Sequence, residues 1–368
     1  MRGNRRVVIT GMGLISPLGN TLGELSESLR TGRSAGAPIE GFQTDGYPVR
    51  IAAQVTDFVP RKMVRNRKAI KMMARDVQFG VAAAGLALDD SGLPVPETTN
   101  DGPPVDPTRI GVSFGAGFIN SDIDELGPSI VACRRPEWFD IPDYSERLRK
   151  AFDMTGFGAS LMAHLFPLWL LKYLPNMPAC HITIIHDIQG PNNSLTSGDA
   201  GGLQALGEGA RIIERDGADI MVCGGTDHTV NPLSLLDHEL IGRVTHRNDD
   251  PGGASRPFER HRDGVLLGEG AAAVVLEEYE HARKRGAHIY AEVVGYGCGC
   301  DAYKVKEVHP EARGLQVAMK NALHDARMDP AEVTCLVAHG LSCVLEDRAE
   351  TVAVKSVFGE VTRALPVS

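Results

Sequence analysis

The sequence predicts an α/β protein. Short runs rich in valine and isoleucine alternate along the chain with longer stretches of helical periodicity. Several of the short runs, such as 219–223 and 271–276, are apolar almost throughout, as strands of a sheet covered on both faces are. With 368 residues, 43% of them hydrophobic, the chain can fill one large or two medium cores.

Taken in order, strand-like runs fall at 6–10, 109–114, 181–186, 219–223, 271–276, 289–294 and 334–338. Helical patterns cover Leu22 to Leu29 and about 68–88, 200–215, 278–286 and 312–326. The proline-rich stretch 92–108 reads as a loop. So does 244–257, rich in Asn, Asp, Gly and Pro, which is the candidate boundary between a half at 1–250 and a half at 251–368. Residues 118–160 are acidic, carry Trp138, Phe139, Tyr144 and Phe152, and have poor periodicity, which suits an inserted surface loop or a small helical cap.

Charge and composition exclude several classes. The net charge of −9 argues against a general nucleic-acid binder, which needs a basic surface to neutralise phosphates. The N-terminus runs directly into Val7-Val8-Ile9-Thr10 without the long apolar core of a signal peptide. The most apolar region, Leu165 to Leu174, is interrupted by Pro167 and Lys172 and is too short to span a bilayer. Seven scattered cysteines suit reduced thiols in the cytoplasm, and Cys298-Gly299-Cys300 has no second pair with which to build a zinc site. No cofactor is implied.

Two apparent motifs fail on context. Gly32-Arg33-Ser34-Ala35-Gly36 has the hydrolase spacing but follows a helix, not a strand. Gly111, Gly115 and Gly117 lack the third glycine and the helix of a dinucleotide fingerprint.

Four stretches together carry a resemblance. They are 6–19 (RVVITGMGLISPLG), 255–270 (SRPFERHRDGVLLGEG) with the following 274–278 (VVLEE), Gly224-Gly225-Thr226-Asp227 after a buried strand, and Ala338-His339-Gly340. In this order, and covering nearly the whole chain, they resemble the ketoacyl synthase II type of condensing enzyme. The resemblance implies the layered αβαβα thiolase fold, two similar halves and a dimer. It also implies a cysteine that takes an acyl chain from a carrier protein, with two histidines and a lysine supporting decarboxylation and condensation.

The resemblance also locates what differs. Counting from Gly190-Pro191, the nucleophile's place falls on Asp199, ahead of a helix whose apolar face would be Leu203, Leu206, Ala210 and Ile213. A thiol at a helix N-terminus gains thiolate character, whereas a carboxylate there is a poor nucleophile toward a thioester and repels an incoming malonyl carboxylate. Ser194 and Ser197 are read as turn hydrogen-bonding residues. His339, at the end of a strand-like run, matches the first catalytic histidine. Gly340-Leu341-Ser342-Cys343 departs from the family's Gly-Thr-Ser-Thr, and Cys343 is read as preceding no helix start. The family's lysine segment, second histidine and glycine-rich loop have no match before Ser368, so a shortened second half is expected. Arg61, Lys62, Arg65 and Lys68, in the most basic stretch of the chain, match the family's docking surface for acyl carrier protein.

The function expected is therefore a ketosynthase-family subunit of fatty acid or polyketide biosynthesis that does not itself condense, similar to the chain-length factors that pair with active ketosynthases. Its partners would be an acyl carrier protein and a dimer mate, either a second copy or an active ketosynthase. The alternative keeps acyl transfer, hydrolysis or malonyl-carrier decarboxylation through His339.

Overall fold

In the computed structural model, residues 5–98, 100–101, 105–134, 142–143, 145–146, 152–304 and 307–368 are described. Its centre is a six-stranded mixed sheet built from β1 (Val7–Ile15), β4 (Ile110–Ala116), β5 (Asn192–Leu195), β6 (Ile220–His228), β7 (Glu269–Glu278) and β8 (Ala291–Glu292), in the order β5-β4-β6-β7-β1-β8. β4 runs parallel to β5 and β6, and β7 is antiparallel to both β6 and β1. A separate two-stranded ladder joins β2 (Gly36–Pro38) to β3 (Ile51–Ala53).

Alternation along the strands decides which helix covers which face. Ile110, Val112, Phe114, Ile220 and Val222 join a core with Val77, Phe79, Ala83 and Ile182, contributed by α3 (Arg75–Asp90) and α6 (Met177–His186). Met221, Cys223 and Leu276 point the other way, into a core with Ala210 and Ile213 of α7 (Gly201–Glu214). Each large side chain fully buried in these cores is worth about 1.5–3 kcal/mol of transfer free energy.

Beyond α7 pack the segments that follow β8. The segment 293–300 packs so closely on α10 (Arg313–Ala326) that a Cβ on Gly297 would stand 2.1 Å from the Ala318 carbonyl oxygen. A Cβ on Gly207 of α7 would stand 2.3 Å from the Tyr296 ring, and Arg211 of α7 pairs with Asp325 at 2.7 Å. α11 (Val344–Phe358) packs on α10. The order α3/α6, sheet, α7, extended segments, α10/α11 is the layering expected of the thiolase fold. Among the described residues, the pairing in the fourth layer is the bridge Leu336↔Val367, while β8 belongs to the central sheet, where it pairs with β1.

Several expectations need correcting. Residues 181–186 form the end of α6, not a strand. Pro178 sits in the first turn of that helix, Asp187 ends it in the left-handed conformation, and the strand comes later at β5. The pattern at 68–88 becomes a helix only at Arg75, after a single 3-10 turn at Ile70–Met72. The runs 289–294 and 334–338 shrink to β8 and one bridge. The excursion 118–160 contains α4 (Ile123–Ala132) and α5 (Met154–His164), packed on each other; Trp138, Phe139 and Tyr144 lie outside the described residues. Leu203 was expected on the buried face of α7 but is 75% exposed, while Ala205, Ile212 and Glu214 of that helix are buried. All seven cysteines are free thiols. Among the described residues, no helix is long and apolar enough to cross a membrane.

Candidate functional site

Asp199 lies in a one-turn 3-10 helix, Gly198–Ala200, that leads directly into α7. The turn begins at Gly198, whose φ of +59° only glycine adopts without strain. Glycines also set how near the start of α7 comes to the sheet. A Cβ on Gly115 of β4 would stand 2.4 Å from the carbonyl carbon of Gly201, and one on Gly225 of β6 would stand 2.9 Å from the Cα of Gly202. The helix therefore starts against bare backbone near the C-terminal ends of parallel strands, where α/β sites collect.

His339 comes to the same place from the second half. Its backbone N–H donates to Glu350 Oε1 at 2.7 Å and that of Gly340 to Oε2 at 3.0 Å, so one buried carboxylate of α11 fixes the turn that presents the imidazole. Behind it, the fully buried Ser342 accepts the Arg256 N–H at 3.1 Å, and Asp347 of α11 accepts the Phe258 N–H at 2.8 Å. Part of the 255–270 stretch is thus occupied in holding the His339 turn onto the rest of the fold.

The two residues meet. Asp199 Oδ2 stands 3.8 Å from His339 Nε2, and both side chains are about half exposed. Arg243, just past the left-handed Gly242 that ends α8 (Pro232–Ile241), lies between Asp199, at 3.5 Å from its Nη2, and Glu346 of α11, at 3.4 Å from its Nε. His339 holds the Asp199 carboxyl below its ordinary range, with Arg243 adding to the effect. In return, Asp199 raises the His339 imidazole above its ordinary value.

Asp199 and His339 open onto a largely apolar cleft of about 730 Å³, lined among others by Leu14, Leu25, Leu203, Leu206, Val274 and the acidic Asp227. Two thiols are at hand. Cys223, on the cleft wall, has no exposed surface, and burial pushes its thiol far up. Cys343 is pushed up to about 11 by burial and by neighbouring Glu346. Neither is a thiolate at neutral pH, so neither is an activated nucleophile. Cys343 was expected to precede no helix; it is in fact the residue just before α11, although its side chain makes no capping bond there. Ser197 donates to Gln204 Oε1 of α7 at 2.6 Å.

The basic stretch is elsewhere. Arg61 and Lys62 are in α2 (Pro60–Met63), and Arg65 and Lys68 follow it; all four are exposed, on the α3/α6 side of the sheet opposite α7. Arg65 is ion-paired with Asp89.

Fold and site can be set beside known proteins. The β-ketoacyl synthase N-terminal domain family matches residues 4–282, and the C-terminal domain family matches residues 290–368. The chain belongs to the β-ketoacyl synthase family. Its fold is that of the thiolase-like ketosynthases, and its resemblance to the ketoacyl synthase II type holds across the chain. It is 38% identical, over 99% of its length and 80% of the relative's, to 3-oxoacyl-[acyl-carrier-protein] synthase 2 of Coxiella burnetii. Among solved structures, it matches the ishigamide ketosynthase/chain length factor with a TM-score of 0.78 and 29% identity, covering 100% of this chain and 79% of that one. It also matches a type II polyketide ketosynthase, bound to the hexaketide and in complex with its acyl-carrier protein. There the TM-score is 0.77 at 27% identity, covering 99% of this chain and 80% of that one.

The ketosynthase motifs in the sequence led to Asp199 and His339 but not to Arg243, Glu346 or Glu350. Arg243 follows a helix that periodicity did not disclose, and Glu346 and Glu350 lie on α11, whose start at Val344 was not recognised. A glycine after an apolar run and the acidic first turn of α11 were the available signals.

Proposed function

We propose that this chain is a non-condensing ketosynthase-family subunit, similar in role to a chain-length factor, that pairs with an active ketosynthase in fatty acid or polyketide biosynthesis. The observation that carries this reading is Asp199 at the turn into α7, paired with His339 and Arg243, with no activated thiol beside it. A carboxylate stabilised in this way is a weaker nucleophile than a free one, and any anhydride it formed would hydrolyse readily. On this reading, the cleft serves as a wall for an acyl chain extended on the partner. Copurification with a ketosynthase that condenses, a change in product length when this chain is omitted, and no condensation by this chain alone would support it. Condensation by the isolated chain would refute it.

A second reading retains hydrolysis or decarboxylation of carrier-bound substrate through His339, and the carboxylate–imidazole contact at 3.8 Å favours it. Its test is thioester or malonyl turnover by the chain that disappears in His339→Ala. Carrier docking is proposed at Arg61, Lys62, Arg65 and Lys68, because an acidic carrier needs a local basic surface on a chain of net charge −9.

A further inference from the structure

The end of β6 stands between the cleft and a second cavity of about 710 Å³. Successive residues of a strand face opposite ways, and here Asp227 lines the cleft whereas His228 lines the cavity. The cavity carries an excess of negative charge. Glu40, Asp76, Asp122 and Asp124 line it, against the cations Arg75 and Lys172 and the imidazole of His228. Both cations are engaged: Arg75 donates two bonds of 2.8 Å to Glu269, and Lys172 is ion-paired with Glu125. His228 Nδ1 stands 2.6 Å from the same Glu269.

Asp76 is the group left wanting a partner. It is 5% exposed, and its carboxylate accepts one hydrogen bond, from the Val77 N–H to Oδ1 at 2.8 Å. Among the described residues Oδ2 has no partner, yet it is not sealed from solvent, which reaches it through the cavity that Asp76 lines. Burial pushes its pKa up to about 6, with Asp227 adding to the rise and His228 opposing it, so it is largely ionised at neutral pH. Among the described residues, no three His, Cys, Asp or Glu side chains are placed to hold a metal ion. Between the charges the lining is apolar, from Met73, Ile119 and Val230.

We propose that this cavity binds an aliphatic diamine, with one ammonium on Asp76 and the other on the carboxylates at the start of α4, Asp122 and Asp124. An ammonium would give Oδ2 of Asp76 the charge-assisted bond it lacks, and the methylene chain would lie along the apolar lining. Separated carboxylates suit two spaced ammonium groups, whereas a metal ion needs its ligands to converge. The cavity shares no lining residue with the cleft, so the proposal is independent of what the cleft does.

The test is calorimetric titration of the full-length chain with 1,6-diaminohexane, ionic strength matched with sodium chloride and folding confirmed by thermal melting. The native chain is expected to bind the diamine roughly tenfold tighter than it binds hexylamine, and Asp76→Asn to lose roughly tenfold in diamine affinity. Asp124→Asn, in the exposed first turn of α4, is expected to weaken binding too and serves if Asp76→Asn does not fold. Affinity should also fall as pH drops through about 6, as Asp76 takes up a proton. Glu360→Gln, at an exposed carboxylate outside the cavity, should change nothing. Equal loss in Glu360→Gln would assign the binding to general attraction by an acidic chain and overturn the proposal. So would native affinity in Asp76→Asn, equal affinity for hexylamine, displacement by magnesium chloride at matched ionic strength, or no binding at all.

Discussion

Asp199 Oδ2 lies 3.8 Å from His339 Nε2, which joins the turn into α7 to the turn before α11. Each residue favours the charged form of the other. The pair is open to solvent on one side and faces Arg243, with Glu350 behind His339.

The sign of its pH dependence follows. His339 has its pKa raised in the fold, so its contribution to stability is fully present below the ordinary value of 6.5 and is lost as pH rises through the raised value. Asp199 has its pKa lowered, so its contribution is present above the ordinary 3.8 and is lost as pH falls through the lowered value. The melting difference between the native chain and His339→Ala should therefore be largest between those two ordinary values. An NMR titration should also show the His339 pKa falling in Asp199→Asn; an unchanged value would mean that the pair does not interact.

Glu350 should matter for stability as well as for placing His339. It is 8% exposed and accepts two backbone N–H groups. Glu350→Ala should cost about 2 kcal/mol, by the loss of two charge-assisted bonds to half-buried amides, measured by denaturant unfolding. It should also broaden the His339 resonances, because the turn loses its anchor.

A second buried carboxylate lies far from the site. Glu277 of β7 has no exposed surface and is held by Arg285 through two bonds of 2.7 Å, by His281 at 2.6 Å and by Thr10 at 2.8 Å. Arg285 and His281 hold its pKa low despite burial, so its contribution is present above its ordinary 4.5 and is lost on acidification through the lowered value. Removing Arg285 as Arg285→Ala should cost about 3 kcal/mol or more at neutral pH, because it leaves a buried charge uncompensated. Equal stability of the variant and native chains would contradict this.

The close seating of α7 predicts that Gly115→Ala is destabilising by about 1–3 kcal/mol, since its Cβ has nowhere to go but into the Gly201 backbone. Because that backbone carries Asp199, the variant should also weaken the contact with His339, read as a lowered His339 pKa in the NMR titration.

If carrier docking uses the basic stretch, charge reversal at Arg61, Lys62 and Lys68 should slow association with an acidic carrier roughly tenfold at low salt, with the difference shrinking as salt rises. A salt-independent effect would assign the loss to something other than charge.

Much of this was legible in the residues. The apolar runs at 109–114, 219–223 and 271–276 mark β4, β6 and β7 because both faces of those strands are covered, and the helical pattern at 200–215 marks α7. The run 181–186 misled because a short apolar stretch has no decisive period, and its proline and left-handed cap, not its side chains, select the helix. Arg243 and Glu346 were not legible, because their roles depend on two loops from different halves meeting, a contact with no sequence spacing. The Cys343 misreading had a similar source: α11 begins with Val344 and Leu345, both half exposed, so its first turn carries no amphipathic signal.

The most direct test of the non-condensing assignment is intact-protein mass spectrometry of the full-length chain after incubation with acyl and malonyl carrier-protein thioesters. The predicted result is an unmodified mass, because Asp199 is held by His339 and Arg243 and neither Cys223 nor Cys343 is ionised. A covalent acyl adduct, located by digestion to any residue of the cleft, would contradict it.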